Sequence, residues 1–251
     1  MPHMFTNRPR LYDLTANRED LRQQFRWETL KAALYKTGGI VFIIGSILFF
    51  PRLDTHKDLG CWTFFFGSLL YLVVTVHDFS EVRMNWRSTD QHTRKAILEY
   101  IAAASYVSGT VLFTAGSIFF LSSVGWTIAG AWSFVIGSLL FVIGACINVL
   151  QIVHSRSLLT LQLMNLTAVT FVVGSVLFTV ASVPYLWHFE SALDHRILNA
   201  FLAWQYLVGS VLFFVGGIFN YWRAYVFIRK EIAKQEGRPE GIVPLLHSSH
   251  K

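Results

Sequence analysis

Polar and apolar positions along this chain separate into long blocks. No Asp, Glu, Lys or Arg occurs between Glu99 and Arg156, between Arg156 and Glu190, or between Arg196 and Arg223. Uncharged apolar runs of about 20 residues have the length of membrane-crossing helices. Near the middle of each run stands Gly-Ser, followed by two apolar residues and usually Phe. The six copies begin at Gly45, Gly67, Gly116, Gly137, Gly174 and Gly209. They predict helices over about 33–50, 59–77, 100–121, 129–152, 160–183 and 199–222, with boundaries uncertain by roughly 2–4 residues.

The even-numbered helices align closely. They read GCWTFFFGSLLYLVVTVHD from Gly60, GAWSFVIGSLLFVIGACIN from Gly130 and LAWQYLVGSVLFFVGGIFN from Leu202. Trp62, Trp132 and Trp204 stand five residues before the motif glycine; Asp78, Asn148 and Asn220 stand eleven after it. The odd helices share Phe42, Phe113 and Phe171 three residues before it. The repeating unit is a two-helix hairpin present three times, and such a period governs the fold reading. The stretch RWETLKAALYKTGGIVFIIGSILFF followed by GCWTFFFGSLLYLVVTVHDF resembles the YrhK-like membrane domain family, a helical hairpin module with paired Gly-Ser-x-x-Phe helices. The resemblance covers residues 25–82, with a looser copy over about 97–154 and a third over about 158–228. It implies an architecture and carries no activity or catalytic residues.

Composition agrees. Hydrophobic residues make up 53% of the 251 and charged residues 14%, against about 25% charged in soluble domains. The net charge of +6 is explained by cytoplasmic flanks, because basic residues gather on that side of membrane helices. With the N-terminus inside, 18 of the 21 Lys and Arg fall on the inner side. The expected fold is therefore all-α: six transmembrane helices as three parallel in–out–in hairpins, both termini cytoplasmic. The expected divisions are a cytoplasmic segment 1–31, hairpins over 32–82, 97–154 and 158–228, and a disordered tail 229–251. Within 1–31, Asn17–Leu30 reads as a helix, with two readings of Arg18, Arg22 and Arg26: an interfacial helix meeting anionic lipid, or a basic flank of the first span.

Each repeated position has a packing reading and a functional one. Gly45, Gly67, Gly116, Gly137, Gly174 and Gly209 belong to stripes of small residues, since a step of seven returns to within about 20° of the same helix face. Such stripes let helices approach closely in lipid; the other reading is a backbone-lined path. Ser46, Ser68, Ser117, Ser138, Ser175 and Ser210 are expected to bond carbonyls of their own preceding turns. The three tryptophans read as interfacial anchors. Asp78, Asn148 and Asn220 read as helix-end residues bonding neighbouring backbone, or as a polar ring able to select ions. In the outer loops, His56, His188, Glu190 and His195 carry metal-ligand chemistry, without a recognised metal spacing.

His77 and His154 sit at unmatched positions, which disfavours a haem pair. Cys61 and Cys146 read as buried small residues too far apart for a disulfide. No nucleophile–base set or phosphate loop is present. The sequence thus points to a multi-pass protein of the plasma (inner) membrane, structural or regulatory through helix packing, with a small transporter or channel as the rival. Its expected partners are membrane lipids and a second copy or another membrane protein. No nucleic acid and no cofactor are expected.

Overall fold

The computed structural model describes residues 18–88, 93–150, 158–187 and 192–235. The described residues form six long helices and no strand: α1 (Arg18–Leu48), α2 (Lys57–Ser88), α3 (Arg94–Phe119), α4 (Thr127–Leu150), α5 (Leu158–Ser182) and α6 (Ala192–Gln235). Short 3-10 turns at Pro51–His56 and Val183–Leu186 join α1 to α2 and follow α5. The α3–α4 connection turns at Gly125, whose φ of 68° favours glycine. All six helices contain segments long and apolar enough to cross a membrane.

Two ends differ from expectation. α1 runs unbroken from Arg18 through the first span to Leu48, so 18–30 is an extension of that span rather than a separate interfacial helix. α6 continues to Gln235, which places the first residues of the expected tail in a helix. Residues 1–17 and 236–251 lie outside the described residues.

The helices form a closed ring. Each packs against the next along the chain, and α6 packs back on α1. The outward surface is apolar. Ile40, Ile44, Phe66, Val73, Ile136, Ile143, Val169 and Val211 are all exposed, as lipid contact requires and water contact would penalise. Trp62, Trp132 and Trp204 lie on this surface at 42%, 51% and 57% exposure. Cys146 also faces outward, while Cys61 is buried. The expectation of two buried cysteines holds at Cys61 and fails at Cys146, which lies on the exposed side of α4.

Inside the ring, glycines and aromatic rings interlock. A methyl group on Gly67 would lie 2.7 Å from the Phe42 ring, and one on Gly45 would lie 3.0 Å from the Phe64 ring. The same exchange links Gly137 with Phe113 and Gly116 with Phe134. Each glycine is thus a socket for an aromatic ring of the antiparallel helix beside it. Lipid gives helices no hydrophobic reason to associate, so this close fit supplies the attraction. A stepwise register follows: seven residues along one helix are matched by seven in the opposite direction along its partner.

α5 keeps this register with an offset. The sequence alignment equates Phe171 with Phe42 and Phe113, whereas the structure places Phe178 there. Phe42, Phe113 and Phe178 meet with centroids 6.5, 6.1 and 5.7 Å apart. Gly174 faces Phe213 and the Gly209 carbonyl, as Gly109 faces Phe141 and the Gly137 carbonyl. The motif of α5 is therefore one heptad out of step. Ala181 and Ser182, both fully buried, stand where α1 has Gly45 and Ser46. The heptad pattern of aromatic residues makes both alignments fit, and the α5–α6 packing selects the second.

Phe64, Phe134 and Tyr206, from the even helices, form an adjacent layer with centroids 6.1–6.5 Å apart. Each ring stacks or tilts on a ring of the first layer, such as Phe113 on Phe134 at 4.6 Å. Aromatic pairs of this kind contribute about 0.5–1.5 kcal/mol each beyond their buried area. The layers fill the bundle axis.

Equivalent sockets differ in tightness, which makes the packing testable. A methyl on Gly109 would meet Phe141 at 2.7 Å and the Gly137 carbonyl oxygen at 2.8 Å, whereas one on Gly38 meets nothing closer than 3.3 Å. Gly109→Ala is expected to cost about 1–3 kcal/mol and to lower the melting temperature in detergent by several degrees. Gly38→Ala should lower it less, because its new methyl meets the Tyr71 ring at 3.3 Å and asks for a smaller shift.

Candidate functional site

The glycine and aromatic stripes end in polar rungs. Beyond Gly45 and Gly38, a further step of seven along α1 reaches Lys31. Beyond Phe64 and Tyr71, a further step along α2 reaches Asp78. The register sets these two side chains opposite each other, with Lys31 Nζ 3.2 Å from Asp78 Oδ1. Both are buried, at 3% and 1% exposure. Lys31 Nζ also lies 3.5 Å from Glu81 Oε1, and His77 Nδ1 lies 3.4 Å from the same oxygen. Glu81 stands three residues after Asp78 and four after His77, so one turn of α2 carries all three groups.

The other two pairs carry neutral rungs. In the second, Ala102 stands opposite Asn148, whose amide nitrogen donates to the Tyr106 hydroxyl at 2.8 Å. In the third, Thr167 stands opposite Asn220, whose Oδ1 accepts from Arg223 at 3.1 Å. Ala102, Asn148, Thr167 and Asn220 are all buried. Asp78, Asn148 and Asn220 thus end the inward stripes of α2, α4 and α6. Each has one partner on its own helix or helix pair, and no hydrogen bond joins the three among the described residues. One amide atom of Asn148 and one of Asn220 lack a protein partner there.

The motif serines play a second packing role. Ser46, Ser117, Ser138 and Ser175 donate to the carbonyl four residues back. Two also bridge neighbouring pairs: Ser46 lies 3.1 Å from Ser210 across α1–α6, and Thr179 of α5 donates to Ser138 at 2.9 Å. Ser68 Oγ has no partner among the described residues. The motif glycines therefore face the partner within a pair, while the Ser46 and Ser138 hydroxyls reach the next pair.

The outer candidates separate. His56 is exposed and its Nδ1 bonds the Thr55 hydroxyl at 2.9 Å. His188 and Glu190 lie outside the described residues, as does the side chain of His195. Asp58 accepts from the Ser122 backbone at 2.9 Å and from the Ser122 hydroxyl, tying the N-terminal end of α2 to the α3–α4 connection.

The interlocked pairs α1–α2 and α3–α4 coincide with a known family. The model of the family described as YrhK-like protein matches residues 25–82 and 96–153. The chain carries two YrhK-like domains. Each spans one antiparallel helix pair, from the residues before its polar rung to those just after it. The first YrhK-like domain holds the Lys31–Asp78 rung and the second holds Ala102–Asn148. No curated protein and no solved structure matches the chain.

Sequence reasoning placed Lys31 in a cytoplasmic flank and treated Asp78 as one of a polar trio. The overlooked signal was the heptad: Lys31 continues the stripe of Gly38 and Gly45. The rung also gives a measurable asymmetry. Lys31→Met leaves Asp78 buried without its ammonium and is expected to cost about 3–5 kcal/mol. Asp78→Asn leaves Lys31 beside Glu81 and should cost less. The double variant Lys31→Ala, Asp78→Asn copies the second domain's rung and should recover most of the melting temperature lost in Lys31→Met.

Proposed function

We propose that this protein is a non-catalytic membrane protein that acts through packing, in a structural or regulatory role. Its six helices are three in–out–in hairpins related by rotation about the membrane normal, with both termini cytoplasmic. The α5–α6 hairpin is a third, diverged copy of the YrhK-like unit. The concentration of basic residues on one side supports this orientation, and the plasma membrane is the proposed location. The glycine–aromatic register of α5–α6 supports the third copy.

One observation carries the functional reading: the two aromatic layers that meet across the axis. Rings in van der Waals contact leave no continuous polar route, and a conducting path needs one. Asp78, Asn148 and Asn220 lie at one end of these layers, so a polar ring there opens onto a closed column. Its lipid-facing surface suits a partner within the bilayer, either a second copy or another membrane protein.

Proteoliposomes containing the wild-type chain are expected to pass protons, sodium and potassium no faster than empty vesicles. Flux well above that of empty vesicles, lost in the Asn148→Leu, Asn220→Leu variant, would establish the transporter reading instead.

A further inference from the structure

Three copies of one hairpin solve the same packing problem, so differences between them separate what the fold needs from what it does not. At the inner rung, two copies use neutral pairs: Ala102 opposite Asn148, and Thr167 opposite Asn220. Their neighbours at the positions of His77 and Glu81 are Ile147 and Gln151 in the second copy and Phe219 and Arg223 in the third. The first copy alone gathers Lys31, His77, Asp78 and Glu81. Among the described residues, the fold closes at the other two rungs without a His–carboxylate group of this kind, and burying ionised groups is costly. The ionic set therefore answers to something other than packing.

We propose that His77, Asp78 and Glu81 form a divalent transition-metal site at the cytoplasmic end of the first hairpin. This goes beyond the packing role proposed above. Each residue offers a ligand atom, and these atoms lie within 4.8 Å of one another. One imidazole nitrogen with two carboxylate oxygens is a donor set suited to zinc, iron or manganese, and three protein ligands leave positions open for water. His77 and Glu81 are about one-third exposed, at 35% and 31%, which gives an ion a route from the aqueous side. Asp78 is the deep ligand.

The second copy differs at the same place. There the Tyr106 hydroxyl is bonded by Asn148, the counterpart of Asp78, whereas in the first copy Asp78 is paired with Lys31. Lys31 has a defined part in this scheme. Its ammonium lies against both carboxylates, so the ion and the ammonium compete for the same oxygens, and the flexible lysine arm swings aside when the ion binds.

The test uses the full chain in lipid nanodiscs, stripped with a chelator and titrated with Zn2+ by calorimetry. The expected result is one Zn2+ per chain, with affinity falling at least about tenfold in His77→Ala and in Glu81→Gln and unchanged in His56→Ala. His77 and Glu81 are partly exposed, so these variants should fold, and a cooperative melting transition without metal would establish that. In Lys31→Met, Zn2+ should raise the melting temperature more than in the wild type, because the ion replaces the missing positive charge. A salt bridge with a purely structural role would give no such rescue. Absent binding, binding of equal strength in the His77 and Glu81 variants, or failure of Zn2+ to stabilise Lys31→Met would each overturn the proposal.

Discussion

The structure depends on one contact repeated along its length: an aromatic ring seated against the bare backbone of a glycine on the antiparallel helix. Hydrocarbon removes the hydrophobic effect as a reason for helices to meet. Dispersion between closely fitted surfaces remains, and it falls steeply with any gap. A glycine lets the ring approach the backbone itself. Because Phe42 enters at Gly67 while Phe64 enters at Gly45, each pair is held reciprocally. Sliding one helix by a residue would empty both sockets.

Other features follow from that register. The rings, once seated, point inward and meet across the axis, so six helices enclose a solid centre rather than a lumen. The positions left outside are aliphatic or tryptophan, and they present a continuous apolar surface to lipid. The motif serines fall beside the glycines, and the Ser46 and Ser138 hydroxyls reach the adjacent pair, as Ser46 reaches Ser210. Where the apolar stripes run out, the same heptads carry Lys31 to Asp78, Ala102 to Asn148 and Thr167 to Asn220. The polar end of the bundle is the last rung of the ladder that packs its middle.

Much of this was legible because a repeated unit announces its own period. The charge-free runs located the helices, the Gly-Ser motif paired them, and the resemblance to YrhK-like domains agreed with the pairing of α1–α2 and α3–α4. What escaped was information held between helices. Phe171 and Phe178 are seven residues apart and equally aromatic, so the chain alone could not say which one joins Phe42 and Phe113. Only the fit of α5 against α6 decides it. Lys31 looked like a flanking charge because charge position within one helix says nothing about what the facing helix presents. Cys146 looked buried because an apolar run in a membrane does not distinguish a lipid face from a core face.

The account stands on the six helices closing into a ring within one chain, with α1 against α6. The direct test replaces Cys61 and Cys146 with alanine, introduces Ser46→Cys with Ser210→Cys, and places a protease site within residues 151–157. The two hydroxyl oxygens lie 3.1 Å apart, near enough for cysteine sulfurs there to bond with little adjustment. After oxidation in membranes and cleavage, the account predicts two fragments that run together on a denaturing gel until reductant separates them. Fragments that part without reductant, or links that join only separate chains, would contradict the closed ring.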